Sequence, residues 1–358
     1  MRHIVVYRPG DLADVHVAAW RRLCESDARL SNPFLHPAFT FAVAAVRNDV
    51  EVAVLEESGL PVGFFPFQRS AWNIGNPVGG RLSGYQAFVV ADGIQWSATE
   101  LIEGCKLSSW QFEQLVAAQE PFREFHRQYE GSPYLDLSNG YEAYREARRA
   151  SGSKRILKIE SLRRKLEREA GPVRFEFHNP NPALLTTLRE WKSNQYRRTG
   201  LTDSFSFEWT VALFEHILQN PSDRFSAVVS VVWALERPVA ISYALRAGGV
   251  LHGCFTGFDE DFSKYSPGSM MLLEIAREAP ANGIRHFELG NGVEYYKHSL
   301  ASGETMMAQG SVDCGQIVRL MRRGWHSAGR WARSNRFSPL TTAPLKVIRP
   351  LREWLSFR

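Results

Sequence analysis

The side chains able to do chemistry gather in one stretch, Leu251 to Lys297 (LHGCFTGFDEDFSKYSPGSMMLLEIAREAPANGIRHFELGNGVEYYK). Its middle, Tyr265-Ser266-Pro267-Gly268-Ser269-Met270, is a turn running into a helix. N–H groups at a helix start have no partner within the helix, and the helix dipole favours an anion there. Pro267 removes one donor, but Gly268, Ser269 and Met270 keep theirs, and Gly268 lets a ligand approach the backbone closely. The turn from Tyr265 to Met270 therefore suits a diphosphate. Glu288 lies late in an apolar segment. A desolvated carboxylate there can act as a base, directly or through water; it can equally pair with Lys297 or a neighbouring arginine. Asp259 is a rival base, whereas Glu260 and Asp261 read as solvated and His252 and His286 as structural.

The elements that must position these groups are legible nearby. Leu251–Phe258 reads as a strand. Pro267–Ala279 reads as a helix capped by Ser266, with Met271, Leu272, Ile275 and Ala279 at helical spacing. Ile284–Leu289 reads as a second strand running into Gly290-Asn291-Gly292. Strand, helix and strand in close order make a βαβ-like unit. Upstream, Trp191–Phe205 (WKSNQYRRTGLTDSF) places Lys192, Gln195, Tyr196 and Arg198 on one or two turns of a helix ending at Gly200. Lys192 and Tyr196, four apart, share a face. Lys154–Arg168 is a basic helical stretch in which Arg163, Arg164, Lys165 and Arg168 cluster. It is either a solvated connecting helix or, through Arg164 and its neighbours, a wall attracting an anionic substrate such as a nucleotide- or pyrophosphate-linked sugar.

The aromatic-Asp strand end, Tyr-Ser-Pro-Gly, the Leu/Met-rich helix, Leu-Gly-Asn-Gly and Tyr-Lys together resemble the FemAB-like and CelD-like branch of the GNAT acyltransferase superfamily, as does the 191–205 block. The resemblance spans roughly residues 185–310. It implies an α+β fold of two tandem GNAT-like domains, each a mixed, mostly antiparallel sheet flanked by helices. It further implies direct attack of an amine on a thioester, with acetyl-CoA as donor substrate and no metal. In such a reaction Lys297 would stabilise charge on the acyl oxygen or hold an anionic donor. Tyr296 would protonate the thiolate or simply pack under the strand. Lys192, Gln195 and Tyr196 would line the acceptor cleft. The turn has one glycine where GNAT loops have several, so FemX-like transfer from aminoacyl-tRNA stands as an alternative. So does a non-catalytic binding or regulatory module.

Composition supports two globular domains in 358 residues, with 44% hydrophobic and 23% charged residues. The expected divisions are 1–170, a degenerate first domain with a connecting helix; 171–315, carrying a single donor site; and 316–358, a basic tail. No apolar run is long enough for a membrane span, and the start lacks signal-peptide character. Cys24, Cys105, Cys254 and Cys314 are far apart, as expected of plain buried thiols in a reduced, cytoplasmic setting. The net charge of +5 is uneven: residues 316–358 hold ten Lys/Arg and one acid, so the body is mildly acidic. Nucleic acid is not an expected partner unless aminoacyl-tRNA is the donor. In the tail, Ile317, Leu320, Met321, Trp325, Ala328 and Trp331 form one stripe, and Leu345, Ile348, Leu351 and Leu355 a second. Such a basic amphipathic segment suits peripheral contact with an anionic membrane, an anionic regulator, or docking onto the body. Earlier in the chain, Gly75–Gly84 reads as a flexible surface or site-rim loop and Trp110–Ala118 as a helix. The implied acceptor is an amino-sugar or polysaccharide-precursor amine.

Overall fold

The computed structural model describes residues 2–290 and 295–314, with backbone alone at 295 and 296. The tail beyond 314, Asn291 and the side chain of Tyr296 lie outside the described residues.

The order of elements runs twice. The first half has β1 (Arg2–Tyr7), α1 (Asp14–Ser26), α2 (Pro37–Val46), β2 (Val50–Glu57), β3 (Leu60–Ser70), β4 (Ile74–Asn76), β5 (Val89–Val90), α3 (Ala98–Gly104), β6 (Ser109–Val116) and β7 (His126–Asp136). Two helices, α4 (Gly140–Ala150) and α5 (Arg155–Ala170), lead onward. The second half has β8 (Val173–Glu176), α6 (Pro182–Thr199), α7 (Glu208–Gln219), β9 (Phe225–Ala234), β10 (Arg237–Ala247), β11 (Val250–Phe258), α8 (Pro267–Glu278), β12 (His286–Glu288), α9 (Tyr295–Leu300) and β13 (Gly303–Asp313). The strands form one mixed α+β sheet flanked by helices, in the order β1-β2-β3-β4-β6-β13-β7-β12-β11-β10-β9-β8, with β5 on β3. Most pairs are antiparallel; β11–β12 and β4–β6 are parallel.

Each half lends its last strand across the centre. β7 pairs with β12, and β13 inserts between β6 and β7. Glu288 in β12 therefore faces Tyr134 of β7 on one side and His252 of β11 on the other. Gly310 permits the β13 bend, since a Cβ there would lie 2.1 Å from the Phe125 carbonyl.

Two expectations change. Trp110–Ala118 is not helical: Ser109–Val116 is β6, with Trp110 and Phe112 buried and Gln111 and Glu113 turned outward, a two-residue period. Ser266 does not cap α8 through its side chain; its backbone sits at φ 53 with no side-chain cap bond.

Helix α8 is buried from Pro267 through Ala276 because it has no solvent face there. One side meets the sheet and the other α5. The acid it buries, Glu274, is held by Arg163 of α5 at 3.1 Å and by Arg277 at 3.0 Å. A buried charge survives only when paired in this way.

Candidate active site

The parallel pair β11–β12 lasts for three residues, Val250–His252 against His286–Glu288. Beyond it Leu289 turns to Pro133 of β7, and Gly290 adopts φ 72. β11 runs on to Phe258, so among the described residues its edge from Gly253 has no strand partner on that side. A bulge against Tyr243/Ala244 leaves Cys254 unpaired at the opening. Such a bulge re-aims backbone groups next to a site. An unpaired strand edge offers alternating N–H and C=O groups to a ligand that carries amides.

Glu288 stands at this opening and is 2% exposed. Its neighbours are not the apolar set expected. His286 Nε2 donates to Oε1 at 3.0 Å, Thr305 Oγ1 at 3.3 Å, and Ser132 Oγ reaches Oε2 at 3.4 Å. The carboxylate thus pairs with His286 rather than with Lys297 or an arginine. Lys297 on α9 donates to the Gly290 carbonyl at 3.4 Å. Its charge also acts on His252, whose imidazole is pushed down to about 3, first by burial and then by Lys297 and His286. Glu288, His286, His252 and Lys297 therefore surround one point where the two strands part.

The Gly75–Gly84 loop reaches the same point. Gly84 passes so close that a Cβ would lie 2.7 Å from His252 Nε2, and Asn32 Nδ2 donates to the ring's Nδ1 at 3.0 Å. The site is built from both halves.

Asp259 is not part of this group. It lies seven residues beyond His252 along an extended chain, roughly 20 Å away. There it caps the turn through Asp261 N–H and pairs with Arg237. Its carboxylate is committed to structure.

At the α8 start the Met270 N–H bonds the Ser266 carbonyl at 3.1 Å, because the first full turn already forms there. That leaves Gly268 and Ser269, by position, as the amides without an i−4 partner within the helix. Arg155, at the start of α5, donates to Ser269 Oγ at 2.7 Å, and its Nε is buried with no hydrogen-bond partner among the described residues. Arg155 thus adds a full positive charge to the helix dipole. Tyr265 is held aside: its hydroxyl bonds Glu169 of α5 at 2.6 Å. This contact and the Lys264 ammonium hold the Glu169 carboxyl down at about 2.

On α6, Lys192 Nζ donates to Gln195 Oε1 at 2.8 Å and lies 5.0 Å over the Tyr196 ring. α6 packs on β11, with Leu188 and Trp191 against Gly257. The trio therefore flanks the open half of β11. Arg198 turns away to Glu260. Arg164 is exposed on α5, while Arg163 and Lys165 are tied to Glu274 and Glu169.

Arg155, Asn32, Ser132 and Thr305 escaped sequence reasoning. Ser132 and Thr305 come from the two exchanged strands, and no spacing in the sequence connects them to Glu288. The four cysteines are free; burial pushes Cys24 and Cys254 up to about 12, so both stay thiols. No group of His, Cys, Asp and Glu among the described residues could hold a metal. No described helix is long and apolar enough to cross a membrane.

Residues 153–298 match the family model described as Acetyltransferase (GNAT) domain. Over that stretch the chain is similar to GNAT acetyltransferase domains. The match begins at the end of the α4–α5 connection and ends in α9, so the matched segment contains both the parting strands and α8. No curated protein matches the sequence. Among solved structures, FemX aligns with TM-score 0.52 at 10% identity, over 79% of this chain and 92% of FemX. The C-terminal domain (DUF2156) of a protein described as a lysylphosphatidylglycerol synthetase, from Agrobacterium fabrum, aligns with TM-score 0.51 at 13% identity, over 86% of this chain and 95% of that one. At these identities the likeness is one of fold.

Proposed function

We propose that this N-acyltransferase belongs to the FemAB-like and CelD-like branch and moves an acetyl group from acetyl-CoA to an amine. The acceptor would be an amino sugar on a cell-envelope or exopolysaccharide precursor. The observation that carries the proposal is the edge of β11 from Gly253 to Phe258, which has no strand partner on the β12 side among the described residues. It begins beside buried Glu288 and leads to the start of α8. The two amides of a pantetheine arm can pair with such an edge. The diphosphate would then meet Gly268, Ser269 and Arg155.

In this arrangement the acceptor ammonium loses a proton to Glu288, directly or through water, with His286 opposite the same carboxylate. The free amine attacks the thioester carbonyl. Negative charge on the acyl oxygen is met by Lys297 and by a backbone N–H near the Cys254 bulge. The C–N bond forms as the C–S bond breaks, and the thiolate is protonated on leaving, with Tyr296 as the candidate acid. Lys192, Gln195 and Tyr196 form the acceptor wall.

One feature favours a second reading, aminoacyl transfer from aminoacyl-tRNA. The α8 start is buried under α5, a tighter setting than an open diphosphate cradle. A mass-spectrometric assay separates the two. Mass gain of an acetyl group on amino-sugar acceptors with acetyl-CoA supports the first reading; transfer only from charged tRNA supports the second and rejects the first.

A further inference from the structure

The repeat of the two halves exposes a position that is filled in one and open in the other. In the second half α5 lies over the start of β8, the end of β9 and the flank of α8. Arg163 of α5 donates to the Val173 carbonyl at the first residue of β8 and pairs with Glu274 of α8. Ile156, Ile159 and Leu166 of α5 are buried there. The corresponding place in the first half is bounded by the start of β1, the end of β2 and α3. Nothing among the described residues covers it. It is a cleft of about 600 Å³ lined by Ile4, Leu55, Phe88, Trp96 and Leu101. Glu100 stands at its edge, as does Glu57, which is paired with Arg2 at 2.7 Å.

The chain leaves the two sheets in matching ways. β7 ends with Asp136 beside His286, the first residue of β12, and Leu137 N–H then bonds the Arg285 carbonyl. From there the chain forms α4 and α5 and covers the second half. β13 ends with Asp313 beside Ser109, the first residue of β6, and Cys314 N–H then bonds the Ser108 carbonyl. The Cys314 thiol meets the Thr99 carbonyl of α3 at 3.9 Å. The described residues thus end against the helix that walls the cleft. The sequence that follows, 315–358, is longer than the 140–170 stretch that carries α4 and α5.

We propose that the apolar stripe Ile317, Leu320, Met321, Trp325, Ala328 and Trp331 of this tail docks in the first-half cleft, completing the repeat. Charge agrees with this occupant. The tail is strongly basic, and α3 presents the exposed Glu100 at the cleft. A tail arginine there would repeat the Arg163–Glu274 pair. The proposal stands independently of the acyl donor.

Hydrogen exchange of the full chain tests it, comparing the native protein with two variants altered on opposite sides of the contact. One carries M321D and W325D in the tail; the other carries E100R at an exposed position of α3. Exchange in peptides covering 2–7 and 98–104 is expected to rise about tenfold or more in both, with 268–278 unchanged. Unchanged exchange of 2–7 and 98–104 in both variants overturns the proposal. It is also overturned if the native protein protects these peptides only when phosphatidylglycerol vesicles are added, or only as protein concentration rises. In those cases a membrane or a second copy is the occupant.

Discussion

Asn32 gives its amide N–H to His252 Nδ1 at 3.0 Å, and its own carbonyl oxygen accepts from Phe34 N–H at 3.1 Å. The amide orientation is thereby fixed, and His252 must be neutral with its proton on Nε2. One bond joins the turn after α1 to the central strand of the second half, directly beneath the point where β11 and β12 part.

This relationship sets a pH dependence. His252 is held near 3 and His36 near 4, both chiefly by burial, against an ordinary value of 6.5. The unfolded chain therefore takes up protons that the folded chain refuses. The associated stability is fully present above 6.5 and is lost as pH falls toward those folded values. Between pH 7 and 5 each histidine should withdraw about 2 kcal/mol. Urea midpoints at the two pH values measure this, and His252→Gln should flatten the slope by its share.

Glu288→Gln keeps the shape of the side chain and its contacts with Ser132 and Thr305 while removing the base. Turnover should fall by about 10²–10⁴ with little change in KM for the donor. Asp259→Asn should leave turnover within a few fold and act on stability instead, since Asp259 serves Arg237 and its turn. Steady-state kinetics of the pair distinguishes a base from a capping residue.

Gly310→Ala should destabilise the protein by about 1–3 kcal/mol, as overpacking does. The new Cβ would meet the Phe125 carbonyl, and backbone yields less readily than a side chain. Chemical denaturation reads the loss. A neutral result would mean that β13 can shift register where it crosses into the first half.

Glu274→Ala removes the carboxylate shared by Arg163 and Arg277, which are partly exposed and keep Glu167 and Glu160 as more distant partners. A loss of about 1–3 kcal/mol is expected. In the double variant with Arg163→Met, part of the loss should return, because the desolvated charge is reduced along with its partner. Thermal melts of the single and double variants test this coupling.

Much of the second half is legible in the sequence because its elements are local. The helix from Pro267, the strand at 251–258 and the helix that ends at Gly200 announce themselves by period, Pro and Gly. β6 is misread because Trp110 and Phe112 lie in a short run, where strand and helix periods are hard to tell apart. The carboxylate of Glu288 can be found from sequence; its partners Ser132 and Thr305 cannot, because strand exchange between halves leaves no trace in spacing. Arg155 is hidden for a related reason. A basic helix read by itself is a solvated connector, and only its packing across α8 turns one arginine toward Ser269.

The central claim, an acyl-CoA donor lying along β11 toward α8, is tested most directly by calorimetric titration of acetyl-CoA and CoA into the native protein and into Arg155→Glu. A substitution at partly exposed Arg155 is preferable to one at buried Gly268, where a carboxylate would disturb the helix start itself. Saturable binding of both ligands to the native protein is expected, with a loss of about tenfold or more in the variant and unchanged thermal stability. Absence of binding at millimolar ligand, or equal binding to both proteins, would contradict it.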